Sequence, residues 1–124
     1  MKFQNILQNE RVCYKYTISN ADAKDNVVID VKGIKGDVQF YLSPNKLPTS
    51  NNYTHTFKTN ATSETKFELT SAMRAEQKVE SGVWFLCAMT QDTFSFYAIQ
   101  EYLVKNTSQV LDFKKLLLSK YSLF

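Results

Sequence analysis

Between Val12 and Ile18 the chain alternates: Val12, Tyr14, Tyr16 and Ile18 are apolar or aromatic, and Cys13, Lys15 and Thr17 fall between them. A period of two puts one set on each face of a β-strand. The alternation returns at Val27, Ile29 and Val31 and again at Val38, Phe40 and Leu42, with the polar stretch 20–26 and the break Gly33 to Asp37 between them. Phe67 and Leu69 alternate with Lys66, Glu68 and Thr70 in a fourth strand. Val83 to Met89 is apolar on both faces, the pattern of a central strand covered on both sides. Gln91-Asp92-Thr93 reads as a tight turn into Phe94 to Ile99, so these last two strands are expected to form a hairpin.

Residues 44–63 hold both prolines and many Ser, Thr and Asn, and read as a long irregular loop with a short strand at Tyr53 to Phe57. Ser71 to Ser81 has the make-up of a short helix or a polar crossover. At the end, Val110, Phe113, Leu117, Tyr121 and Phe124 recur at helical spacing, which predicts a short amphipathic helix over 110–120. Roughly six to eight short strands separated by turns indicate an antiparallel β-sandwich or barrel. The expected organisation is a mainly β domain over 12–104, an N-terminal tail over 1–11 and a C-terminal helix and tail over 105–124.

Composition supports that frame. Nine Phe and seven Tyr against three Gly lean towards strands. A net charge of +3 lies entirely in residues 1–62, where eight Lys and Arg face five Asp and Glu. This is too little basic charge for a nucleic-acid footprint, and no nucleic-acid partner is expected. The longest uncharged apolar run, Val83 to Met89, falls far short of the roughly 20 residues of a membrane-spanning helix. Met1 to Gln8 lacks the continuous apolar run of a secretory signal, which leaves an intracellular protein or a chain that starts after a removed leader.

Three sequons, at Asn52, Asn60 and Asn106, fall in stretches read as loops, where glycans sit. Cys13 and Cys87 form a disulfide if the compartment oxidises, or remain two free thiols. Strand parity speaks against the bond: Cys13 falls on the polar face of its strand, and Cys87 reads as a small core residue.

Catalytic chemistry lacks its parts. A Ser-His-Asp or Cys-His site must pass through His55, and no Gly-x-Ser-x-Gly elbow is present; an exposed strand or loop histidine is the simpler reading. Zinc has no ligand spacing. Calcium has more to offer, because Asp22, Asp25 and Asp37, with Asp30, supply hard oxygen ligands near turns. Lys24, Lys32 and Lys35 interleave with them, however, and a mixed-charge solvated surface is the plainer account. Gly33 to Gly36 is too short to cradle phosphate. Glu76 and Glu80 read as a solvated helical face rather than a glycosidase pair. Tyr41 and Trp84 suggest a sugar-stacking platform, but Trp84 shares parity with Leu86 and Ala88 and belongs to the core.

Three features in order carry a resemblance: the turn and strand Gly36-Asp37-Val38-Gln39-Phe40-Tyr41-Leu42-Ser43, the strand at Thr65 to Thr70, and Gly82-Val83-Trp84-Phe85-Leu86-Cys87-Ala88-Met89 followed by the aromatic strand at 94–99. Over Val12 to Tyr102 the chain resembles the prepeptidase C-terminal domain family. The family's Asp-x-Asp-x-Tyr signature is half kept, by Asp37 and Tyr41, with Gln39 in place of the middle carboxylate. The resemblance implies a small jelly-roll-like sandwich without catalytic activity, an adaptor for neighbouring domains, matrix or carbohydrate, and in some members a calcium site.

The expected role is therefore a non-catalytic interaction module of an extracellular or cell-surface assembly with other protein subunits or domains as partners. Contacts are expected from loop 44–63 and from apolar terminal residues Phe3, Leu7, Phe113, Leu117, Tyr121 and Phe124, whose exposure would cost roughly 1.5–3 kcal/mol each; the equal alternative for the tail helix is that it packs on its own sandwich or covers an open sheet edge. An intracellular subunit of a large complex, its sequons accidental, is the main alternative. A calcium-dependent carbohydrate-binding module is the second.

Overall fold

A computed structural model describes residues 1–105. Eight strands form two antiparallel sheets. They are β1 (Lys2–Leu7), β2 (Val12–Ile18), β3 (Asn26–Lys35), β4 (Val38–Pro44), β5 (His55–Thr59), β6 (Glu64–Leu69), β7 (Gly82–Met89) and β8 (Phe94–Val104), with one short helix, α1 (Ser71–Glu76), between β6 and β7. Sheet A has the order β1-β8-β3-β6 and sheet B the order β2-β7-β4-β5. The predicted helix over 110–120, with Phe113, Leu117, Tyr121 and Phe124, lies outside the described residues, as does Asn106.

The alternating apolar sets meet between the sheets. Val27, Ile29 and Val31 of sheet A face Phe40, Leu42, Trp84 and Leu86 of sheet B, all buried. Along the β5–β6 side the gap is closed by stacked rings: Phe57 lies 4.8 Å from Phe40 and 4.9 Å from Phe67, nearly parallel to both. Tyr97 meets the edge of Phe40 at 5.4 Å, and its hydroxyl bonds the Tyr14 hydroxyl across the sheets at 2.7 Å. That pair is satisfied, and burial raises both phenols above the ordinary tyrosine value.

Four features depart from the sequence expectation. Residues 1–11 are not a loose tail: β1 pairs with β8 from Lys2 opposite Ile99 to Leu7 opposite Phe94, and Ile6 is fully buried. The outward residues Phe3 and Leu7 hide the alternation, because the apolar positions that stand out are the solvent-side ones. The long loop is shorter than expected, since β5 reaches Thr59 and a tight turn, Asn60 to Ser63, leads into β6. Here Gly33 passes so close to Asn60 that an added Cβ would lie 2.0 Å from its carbonyl oxygen.

The third departure is the final hairpin. β7 pairs with β2 and β4, and β8 with β1 and β3, so the turn at Gln91 to Thr93 carries the chain from one sheet to the other. Its geometry is fixed by side chains: Thr90 Oγ1 and Ser95 Oγ both donate to the Asp37 carbonyl, and Asp92 accepts from the Asp37 amide at 2.8 Å. Gly36, at φ 71°, makes the facing turn. The two apolar strands therefore face each other through the core instead of lying side by side.

The fourth is the cysteine pair. Cys13 and Cys87 stand directly opposite in the β2–β7 register and are joined by a disulfide. Trp84, Leu86 and Ala88 take the inward face of β7, so Cys87 points outward with Cys13, and parity permits the bond it seemed to oppose. Cys87 is nevertheless buried.

Candidate functional site

His55 sits on the inner side of β5, half-buried near the Phe67 and Trp84 rings, with Nδ1 3.0 Å from Thr54 Oγ1. It is not the exposed residue expected. Burial lowers its pKa below the usual 6.5, against an opposing pull from Glu76. The unfolded chain then takes up a proton that the folded one resists, so stability is fully present above about pH 6.5 and is lost as pH falls from there to the folded pKa. His55→Gln is expected to remove that part of the pH dependence. Urea midpoints at about pH 7.5 and pH 5 check this; equal pH slopes in the variant and the parent would show that His55 does not contribute.

The candidate calcium ligands Asp22, Asp25 and Asp37 each have other contacts. Asp22 accepts a hydrogen bond from Ser19, Asp25 offers its carbonyl to Arg74, and Asp37 pairs with Lys58 at 3.5 Å. Among the described residues no group of three His, Cys, Asp or Glu side chains is placed to hold a metal ion. Trp84 is fully buried, with its indole N–H donating to the Val79 carbonyl. Tyr41 lies on the outer face of sheet B, 5.0 Å from the ring of Tyr53.

The loop between β4 and β5 folds back over that outer face. Pro48 is buried and its carbonyl accepts from Arg11, just before β2. Residues including Ser50, Tyr41, Gln39, Lys58, Asp37 and Asp92 line a cleft of about 250 Å³. Part of the segment expected to meet a partner thus roofs its own sheet, leaving Leu47 and Tyr53 exposed. Asn52, in this loop, and Asn60, in the turn after β5, are both exposed.

The outer face of sheet A differs. Phe3 and Leu7 on the edge strand β1 are 66% and 54% exposed. By register they adjoin Ala98 and Phe94, and the Phe3 ring stacks on Phe96 at 5.8 Å. Tyr102, farther along β8, is also exposed, opposite Val28 of β3. Phe3, Leu7, Phe94 and Phe96 form an apolar stripe along β1 and β8, and Tyr102 lies beyond it, past Gln100, whose amide donates to Asp30. Phe3 and Leu7 were singled out from the sequence; Phe94, Phe96 and Tyr102 were not, although their period-two spacing in β8 marks a shared outward face.

A third surface lies on the open side of the sandwich. β1 covers β8 only as far as Ile99, so Glu101 and Leu103, inward by alternation and paired with β3 on one side, have no described strand on the other. Tyr16 and Ile18 of β2 form the opposite wall. Tyr16 is only 9% exposed, yet its hydroxyl has no hydrogen-bond partner, and burial together with Glu101 raises its pKa.

Compared with known proteins, the chain matches no protein-family model and no curated protein sequence. No described helix is long and apolar enough to cross a membrane.

Proposed function

We propose that this chain is a non-catalytic protein-interaction module, a jelly-roll-like sandwich resembling the prepeptidase C-terminal domains, working in an extracellular or cell-surface assembly. The observation that carries the reading is the apolar stripe on sheet A, which sets Phe3 and Leu7 beside Phe94 and Phe96 on an edge strand. An exposed edge with large apolar side chains invites association unless a partner covers it. The strand orders add support for the fold, since every connection except β4 to β5 crosses between sheets, as in an eight-stranded jelly roll. The Cys13–Cys87 bond favours an oxidising compartment over the intracellular alternative.

Covering Phe3 and Leu7 is worth about 1.5–3 kcal/mol for each. Phe3→Ser with Leu7→Ser is therefore expected to reduce binding of a hydrophobic-patch dye while leaving the thermal midpoint within about 4 °C of the parent. Unchanged dye binding would remove this face as the contact surface. Intact mass of natively purified protein tests the compartment: two hydrogens gained on reduction and mass lost to glycosidase support it, and a bare mass with two free thiols turns the reading to an intracellular subunit.

A further inference from the structure

The open side of the sandwich has the form of a strand-accepting groove. Beyond Ile99 the β8 edge that faced β1 carries main-chain groups with no strand partner among the described residues. On the other side of the gap, β2 is itself a sheet edge. Two hollows, of about 420 and 280 Å³, run together along this gap and share Lys15, Tyr16 and Glu101. Inner-face residues that elsewhere would be core form part of their walls: Ile18 and Val27 are covered, but Leu103 is 48% exposed. Tyr16 contributes a second, independent sign, a phenol nine-tenths buried whose hydroxyl goes unbonded. Buried polar atoms rarely lack a partner.

We propose that this groove binds an extended segment of a partner protein, which adds to sheet A along Glu101 to Val104 in the track of β1. The inference rests on the reading of the chain as a protein-binding module and assigns that reading a second site and a mode of recognition. Only an extended polypeptide supplies both what the β8 edge lacks, main-chain donors and acceptors at strand spacing, and what the walls lack, a side chain inward at every second position. The segment runs antiparallel to β8, so the side chain opposite Leu103 precedes the one opposite Glu101. The first is apolar, to cover Leu103 between Ile18 and Val27. The second is a small polar residue that bonds the Tyr16 hydroxyl. Charge agrees with this direction: Asp22 stands at the end where the segment's amino-terminal side enters, and Lys2 at the end where its carboxyl side leaves.

The test uses the full chain and a capped octapeptide with lysine first and valine and threonine alternating after it, titrated to about 1 mM, the weak range expected of a short strand. Amide shifts are expected at 14–18 and 101–104, with slowed exchange along 101–104. N-methylation of alternate peptide residues, which removes the donors, is expected to abolish them. Leu103→Lys is expected to weaken binding about tenfold without lowering the thermal midpoint, because the side chain is already half in water. Tyr16→Phe is the sharper variant: it should weaken binding about threefold to tenfold while leaving the free protein as stable or more so, since no bond is lost. No shift at the highest peptide concentration, or shifts confined to the Phe3 and Leu7 face, overturns the groove. The second result would leave the interaction-module reading in place, whereas the loss of both sites would remove that as well.

Discussion

Replacing Arg74 by methionine is expected to cost about 3–5 kcal/mol and to lower the thermal midpoint by about 10–20 °C. Arg74 is in α1 and is fully buried, and its guanidinium donates only to main-chain carbonyls. Nε reaches Glu80 at 3.0 Å, Nη1 reaches Leu69 at 2.9 Å, and Nη2 reaches both Ala23 and Asp25, at 3.0 and 2.6 Å. One side chain thus ties the end of β6, the turn before β7 and the loop before β3 to a six-residue helix too short to be stable alone. Burial lowers its pKa, with Asp25 and Glu80 pulling the other way, so the charge is held by dipoles and nearby acids without a close ion pair among the described residues. Methionine fills the space but leaves carbonyls without donors. Arg74→Lys keeps the charge but not the planar fork, and is expected to recover less than half of the loss. A midpoint lowered by less than about 3 °C in the methionine variant would mean that water replaces the guanidinium without penalty.

The Cys13–Cys87 bond carries the second large effect. It closes a sequence separation of 74 residues, for which the loss of chain entropy in the unfolded state corresponds to about 4 kcal/mol. It also fastens β2, the outer strand of sheet B, to the central β7. Cys13→Ala with Cys87→Ala is expected to lower the midpoint by about 10–15 °C in the absence of reductant and to make the protein insensitive to dithiothreitol. The parent should fall to the variant's midpoint once reduced. If parent and variant unfold together under oxidising conditions, the bond is either not formed or contributes nothing beyond the β2–β7 ladder.

Seven of the eight strands were legible: six from apolar alternation or, for β7, a run apolar on both faces, and β5 as the short strand read near Tyr53 to Phe57. β1 was not, because only Ile6 is deeply buried there while the larger Phe3 and Leu7 face out. Pairing was harder to read than strand position. Nothing in Gln91-Asp92-Thr93 distinguishes a turn within a sheet from a passage between sheets; the distinction comes from Thr90, Asp92 and Ser95 binding the distant Asp37 turn. Arg74 left no signal at all. Its partners are carbonyls, which every residue has, and it lies in a polar stretch that reads as solvated. The groove was half legible: Tyr16 announced an inward face, but its orphan hydroxyl and the span of β8 that β1 pairs are properties of the assembled sheets, not of any local pattern.

The pairing of β1 with β8 also governs the order of events at the ribosome. Sheet A cannot be completed until Phe94 to Ile99 has left the exit tunnel, and the β2–β7 ladder waits nearly as long. With synthesis at about 5–20 residues per second, Phe3 and Leu7 spend seconds without their neighbours. So many contacts distant in sequence place this chain among slow folders, in the millisecond-to-second range once released. The nascent chain is consequently the stage at which it most needs a chaperone, and Cys13 stays open to the wrong thiol until Cys87 arrives.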